Sequence, residues 1–271
     1  MVLRCVTFEV ANTLVKLASP SYKVYRKPVV EALQHYRLPC PPDDVLRDAF
    51  ARAAAQTSAA LPHYGSGILE EREWWAVLIR SLLVEAGCTH ATEDGEVCNL
   101  VFQRAYSSFG ALDAWASAPA GAHAAMRHAK SSGCLVGAVC NTYFRYVDDQ
   151  LPKLDLHHDL DFAVVEHDVG VAKPDPRIFD IATRRAGLVW RLLHGGEGEA
   201  LKPEEMLHVG TSVEDDFLAA KACGMHALLL DPAGRALQRH GGHARTGLTE
   251  HDIISSLTEV PSKMEPLLQA D

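Results

Sequence analysis

Five short, mostly apolar runs recur along the chain, each followed by a helical pattern or a turn: Val6 to Val10, Leu135 to Cys140, Phe162 to Val165, Met206 to Val209 and Ala227 to Leu230. Runs of this length, bounded by turn signals, suit strands buried on both faces, and their alternation with helices predicts a parallel sheet. An open α/β core follows. With hydrophobic residues at 48% and charged residues at 23% of 271, the chain has enough apolar surface to offset the entropy of ordering it, which excludes a disordered protein.

Helices are expected on both faces of the sheet. Pro119 to Lys130 precedes the second run, Pro176 to Ala186 carries Ile178, Ile181, Ala182 and Arg185 at helical spacing, and Val213 to Cys223 stops at Gly224. Between the first run and about residue 115 the strand pattern disappears. Val29, Leu33 and Tyr36, then Val45, Ala49 and Ala53, then Trp75, Leu78 and Leu82 mark successive amphipathic helices. The predicted organisation is an α/β core of residues 1–16 and 116–271 interrupted by an all-α unit, 17–115. The Gly-rich, acidic stretch 192–204 reads as a long surface connection, Gly234 to Gly247 as another, and a last short helix is expected near Glu250 to Leu257.

Lys plus Arg number 26 against 35 for Asp plus Glu, a formal charge of −9, and no long basic run occurs. A polyanion meets net repulsion, so nucleic acid is not an expected partner. The apolar stretches fall short of the ~20 residues that cross a bilayer, so no membrane association is expected. Met1 to Val10, with Arg4 and Glu9 and no cleavage pattern, does not read as a secretory signal. Seven cysteines, odd in number and without C-x-x-C, suit small buried thiols in a reducing compartment rather than a zinc framework. The cytoplasm is the default location, with an organelle address left open.

Ligands in open parallel sheets bind beyond the carboxyl ends of the strands. Four segments there form an ordered set: Phe8-Glu-Val-Ala-Asn-Thr-Leu, Val139-Cys-Asn-Thr, Val171-Ala-Lys-Pro-Asp-Pro-Arg-Ile-Phe and His208-Val-Gly-Thr-Ser-Val-Glu-Asp-Asp. In these the chain resembles the haloacid dehalogenase-like superfamily of phosphatase-type hydrolases, from about Leu3 to about Leu257. The resemblance implies a Rossmann-like parallel sheet core with an inserted helical cap. It also implies a D-x-D-x-T motif whose first Asp attacks phosphorus and whose second protonates the leaving group. Mg²⁺ would be held by the first Asp, by the backbone carbonyl two residues on and by an Asp of the fourth motif, and the phosphoryl oxygens by Lys and a small hydroxyl residue.

Mapped residue by residue, that pattern is depleted here. The nucleophile position is Glu9, one methylene longer than Asp. A displacement of ~1 Å can cost ~10²-fold in rate. The acid/base position is Ala11, which transfers no proton. The hydroxyl position of the second motif is Cys140, a weaker donor, followed by Asn141. Lys173 is retained, Thr13 keeps the hydroxyl of the first motif, and the fourth motif has Gly210-Thr211 where Gly-Asp is usual. Glu9 and Asp216 remain as metal ligands for a weak or absent Mg²⁺ site, so no cofactor is expected unless that residual site functions.

The resemblance thus leads to a protein that keeps the fold without Mg²⁺-dependent phosphate hydrolysis and acts as a binding or scaffold subunit in a larger assembly. Lys173 and strand-end amides would remain as donors to a small anion, with Thr13 and Asn141 as further substrate-binding positions. The alternative is an atypical hydrolase using Glu9: a weak phosphatase, or an enzyme resembling the metal-independent haloacid dehalogenases. A phosphonatase-like reading, with Lys23 or Lys27 as a Schiff base, lacks the metal acids.

Structural readings stand beside these. Glu9 can pair with Lys173, Thr13 can satisfy backbone groups in its turn, Cys140 and Ala11 can be packing residues, and Asp216 can accept from loop amides. His157-His158 and the His240, His243 pair lie in polar connections without a Cys or acid framework and read as solvent-exposed. Of the adjacent Trp74 and Trp75, one is expected inside and the other near a cleft or partner.

Overall fold

The computed structural model describes residues 2–194, 200–239 and 247–269. Six parallel strands are ordered β3-β2-β1-β4-β5-β6, with β1 Cys5–Phe8, β2 Leu135–Cys140, β3 Phe162–Val165, β4 Met206–Gly210, β5 His226–Leu230 and β6 Ile253–Ile254. β1 is buried throughout, as its Cys-Val-Thr-Phe composition requires of a strand flanked by two others. The chain adds β2 and β3 on one side of β1 and then crosses to β4 on the other. Such a reversal leaves a crevice beyond the carboxyl ends of the two strands beside it. Phe8 is in register with Ala138 of β2 and Val209 of β4, which brings Glu9, Cys140 and Gly210 to that end of the sheet.

The first strand stops at Phe8 rather than Val10. The Val10 carbonyl accepts from the amides of Thr13, Leu14 and Val15, and Asn12 takes φ 62°, so the chain turns sharply as soon as it leaves the sheet. Helices Ala122–Ser131 and Pro176–Leu193 form where the apolar spacing placed them. In the second, Asp175 accepts from the Arg177 amide and Pro176 occupies the first turn. That helix overruns the expected end at Ala186 and the expected loop start at 192, because Val189 and Trp190 still pack on the core. Residues 195–199 of the expected 192–204 connection, and 240–246 of the expected 234–247 connection with His240, His243 and Gly241-Gly242, lie outside the described residues.

Two further elements differ from expectation. The Val213 to Cys223 segment is a π-helical turn, Val213–Leu218, followed by α-helix Ala219–Ala222. Near the end, Ile253–Ile254 pairs with β5 as a sixth strand where a helix was expected, and the helix comes later, at Val260–Leu268. Two β-branched residues beside an open sheet edge gain more from pairing than from a single helical turn.

The chain divides into two compact units, Met1–Lys16 with Ser117–Asp271, and Leu17–Ala116. The second holds helices Ser21–His35, Asp43–Ala60, Glu71–Glu85, Thr89–Glu93 and Gly95–Phe109. Its interior centres on Tyr25, which meets Trp75 at 5.1 Å and Phe109 at 6.3 Å, while Phe109 meets Trp115 edge-on at 4.9 Å. Trp74 and Trp75 are both buried, and the Trp74 indole donates to the Leu61 carbonyl at 3.0 Å, so neither is left for a surface. On the second helix the buried residue is Leu46, not the neighbouring Val45. Among the described residues no helix is long and apolar enough to cross a membrane.

Candidate functional site

Lys173 is fully buried at the carboxyl end of the sheet, and its side chain makes the centre of the site. The ammonium donates to Glu9 Oε2 at 2.5 Å, to Asp216 Oδ1 at 2.6 Å and to the Val139 carbonyl at 2.8 Å. An ammonium has three protons, and these acceptors use all of them. Asn141 fixes the backbone behind it: its amide nitrogen donates to the Lys173 carbonyl at 2.8 Å, and its oxygen accepts from the Lys173 amide at 2.7 Å. Asn141 therefore spends both ends of its side chain on positioning Lys173.

The outer oxygen of each carboxylate is also committed. Glu9 Oε1 folds back onto its own turn, accepting from the amides of Val10 at 2.7 Å and Ala11 at 3.0 Å. Asp216 Oδ2 accepts from the amides of Thr211 and Ser212, both at 2.8 Å, in the turn that leaves β4. Gly210 permits that approach, since a Cβ there would stand 2.2 Å from Asp216 Cγ. Four amides at the strand ends, those of Val10, Ala11, Thr211 and Ser212, are thus occupied by two carboxylates of the protein itself.

Beneath Asp216 lies a buried histidine that motif reading did not select. His208 Nε2 is 3.3 Å from Asp216 Oδ1, its Nδ1 is 2.9 Å from Thr7 Oγ1, and Phe179 meets the ring edge-on at 5.1 Å. The available signal was a lone His inside an otherwise apolar strand run, Met206 to Val209.

The electrostatics follow from burial and from the single cation. Burial pushes the Lys173 ammonium down, but Glu9 and Asp216 together outweigh it and hold the group above its usual range. Burial pushes Asp216 up, yet Lys173 and His208 keep its carboxyl well below the ordinary carboxylate range. Glu9 is different: burial raises it, and Lys173 only partly opposes the rise. Burial, with Lys173 assisting, lowers His208, so the ring is held neutral. Burial raises the Cys140 thiol strongly, and its Sγ faces the Val164 carbonyl at 3.8 Å. It is a thiol, not a thiolate.

Of the sequence-predicted positions, Glu9, Lys173 and Asp216 meet directly, and Asn141 touches the Lys173 backbone. Cys140 ends β2. Ala11 contributes its amide alone. Among the described residues Thr13 Oγ1 is buried without a hydrogen-bond partner, contrary to the expectation that it satisfies the turn. Thr211 likewise contributes an amide, to Asp216. Mg²⁺ asks for oxygen ligands in near-octahedral array, with carboxylates free to point at it. Here both candidate carboxylates close on Lys173, and Thr211 offers no third. The donor set, as arranged, does not fit the ion.

A sequence model of the haloacid dehalogenase-like hydrolases, described as "Hydrolase: haloacid dehalogenase-like hydrolase", matches residues 3–224. The chain belongs to the haloacid dehalogenase-like hydrolase family. Among curated relatives of this haloacid dehalogenase-like chain, haloacid dehalogenase-like hydrolase domain-containing protein 3 of Mus musculus is 29% identical over 272 residues, covering 99% of this chain and 96% of the relative. Glyceraldehyde 3-phosphate phosphatase of Methanothermobacter thermautotrophicus is 32% identical over 132 residues, 48% of this chain and 53% of the relative. The fold is that of 2-haloacid dehalogenase from Pseudomonas syringae, at a TM-score of 0.66 and 19% identity, with 97% of this chain and 99% of the other covered.

Proposed function

We propose that this haloacid dehalogenase-like protein does not carry out Mg²⁺-dependent phosphate hydrolysis and serves as a non-catalytic binding or scaffold subunit, in the cytoplasm by its cysteine usage and charge. The supporting observation is the closed centre: every proton of Lys173 and both oxygens of Glu9 and of Asp216 are engaged within the protein. A nucleophilic oxygen needs a lone pair aimed at the reacting atom, and Glu9 directs Oε2 at an ammonium and Oε1 at two amides. No acid at Ala11 stands ready to protonate a leaving group, a loss of ~10²–10⁴-fold by itself. An anion entering at the strand ends would have to displace Glu9 or Asp216 from their amides.

The test is phosphate release from an aryl phosphate with and without Mg²⁺. Wild type is expected to match the buffer blank, and co-migration with a large complex in native extracts is expected for a scaffold. Mg²⁺-dependent turnover abolished in Glu9→Ala, or a free monomer in extracts, contradicts the proposal.

One observation favours a second reading. Lys173 places a permanent positive charge between Glu9 and Asp216, so a reaction that needs neither a metal nor leaving-group protonation keeps its electrostatic support. Displacement of halide from a 2-haloacid is such a reaction. Chelator-insensitive halide release, lost in Glu9→Ala, would establish it in place of the scaffold.

A further inference from the structure

On the connection that leads into β3, the side chains of Asp155, His157 and His158 each bring one ligand atom within 4.8 Å of the others. By sequence alone the two histidines read as solvent-exposed residues without an acid framework. The fold supplies the acid. Asp155 takes φ 59° and reverses the chain after the turn Leu151–Lys153, so that its carboxylate returns toward the residues that follow it. Asp155 Oδ1 comes to 3.0 Å from His158 Nε2, and the two imidazole rings stand 3.8 Å apart between centroids.

The reversal is held from both sides. The Asp155 amide donates to the Pro152 carbonyl at 3.1 Å, the Leu156 amide to the Leu151 carbonyl at 2.8 Å, and the Leu160 amide to the His157 carbonyl at 3.2 Å. Leu156 is buried and pins the loop between the exposed Asp155 and the exposed histidines. Lys153, two residues before Asp155, is paired with Asp149, which offsets its charge. Half-buried Asp159 adds a further negative charge to the same turn.

We propose that Asp155, His157 and His158 form a surface site for Zn²⁺, with one carboxylate oxygen and two imidazole nitrogens as ligands and water completing the shell. Two imidazoles and a carboxylate select a borderline transition ion over Mg²⁺ or Ca²⁺. Ligand bonds of about 2.0–2.2 Å place donor atoms of a tetrahedral shell about 3.3 Å apart. The Asp155 and His158 atoms, 3.0 Å apart, need to open by only a few tenths of an ångström, and the third ligand, within 4.8 Å, closes by rotation of an exposed side chain, with no buried packing to disturb. The site lies outside the Glu9, Lys173 and Asp216 centre and does not depend on what that centre does.

The experiment is calorimetric titration of the full, reduced chain with Zn²⁺, compared with His157→Ala, His158→Ala and Asp155→Asn. Asn suits the positive φ at 155, and all three positions are exposed, so the variants keep the fold. One Zn²⁺ equivalent is expected in wild type, weakened on the order of tenfold or more in each variant, as expected when a group of a metal site is lost. In NMR spectra the His157 and His158 ring signals are expected to shift with that equivalent, and excess Mg²⁺ is expected not to reverse it. Superimposable isotherms across the four proteins, whether Zn²⁺ then binds at thiols elsewhere or not at all, would overturn the proposal. So would ring signals that stay in place as Zn²⁺ is taken up.

Discussion

Lys173 Nζ stands 2.5 Å from Glu9 Oε2, across a separation of 164 residues in sequence. The pair is buried, and a second acid, Asp216, shares the same ammonium. Removing the cation while both anions stay in place leaves uncompensated buried charge. Lys173→Met is therefore expected to cost ~3–5 kcal/mol in denaturant unfolding. Glu9→Gln should cost less, because burial already raises the Glu9 carboxyl and Lys173 keeps Asp216. Equal losses in the two variants would contradict this account of the centre.

Stability should fall on the acid side in two stages. His208 is held below its ordinary value of 6.5 by burial, so on acidification the unfolded chain takes up a proton that the folded chain refuses. Its contribution is fully present above about pH 6.5, the ordinary histidine value, and is lost as pH falls toward the folded value. Asp216, held below the carboxylate range against burial by Lys173 and His208, contributes above about pH 4 and loses that contribution at lower pH. Unfolding midpoints from pH 7.5 to 5 should decline more steeply in wild type than in His208→Gln, in which His226, also lowered by burial, still contributes and the raised Glu9 carboxyl opposes the decline; the same slope in both would remove His208 from the explanation.

Thiol labelling should separate the cysteines by environment. Cys40 is exposed, whereas Cys5 and Cys140 are buried and their thiols are raised well above the ordinary range by desolvation. Burial pushes Cys134 up to about 11. Mass spectrometry after brief alkylation of native protein should find Cys40 modified and Cys5, Cys134 and Cys140 intact until denaturant is added. Early modification of Cys140 would mean that the end of β2 opens.

A single methyl group tests the close approach beneath the turn after β4. Gly210→Ala places a Cβ 2.2 Å from Asp216 Cγ and 2.3 Å from its Oδ2, so the carboxylate must leave the amides of Thr211 and Ser212. Overpacking of this kind costs ~1–3 kcal/mol, to which the displaced buried charge adds. Thermal unfolding should show the loss; an unchanged midpoint would mean that the turn yields without moving Asp216.

Length and composition of the apolar runs were enough to place β2 at Leu135–Cys140, buried throughout, and the edge strand β3 at Phe162–Val165, buried at Val164 and Val165, because buried strand positions must be apolar. The same signal was too short for Ile253–Ile254, two residues whose strand character comes from the open edge of β5 beside them. Glu9, Lys173 and Asp216 were legible as motif positions. Their mutual closure was not, since it depends on how far a Glu side chain reaches and where three separate strand ends meet. His208 escaped notice for a related reason: one histidine in a strand says nothing until Thr7 and Asp216 are seen on either side of its ring.

The sequence by itself determined the parallel α/β core, the helical insertion and the depletion of carboxylates at Ala11 and Thr211, all properties of residue type and periodicity. Only the tertiary structure decided that the remaining carboxylates spend themselves on Lys173 and on their own turns, and that Asp155 returns to face His158. The Lys173 pairs depend on distances across the fold, set by strand order, whereas the Asp155 and His158 contact depends on the backbone reversal at Asp155, which residue type alone does not specify.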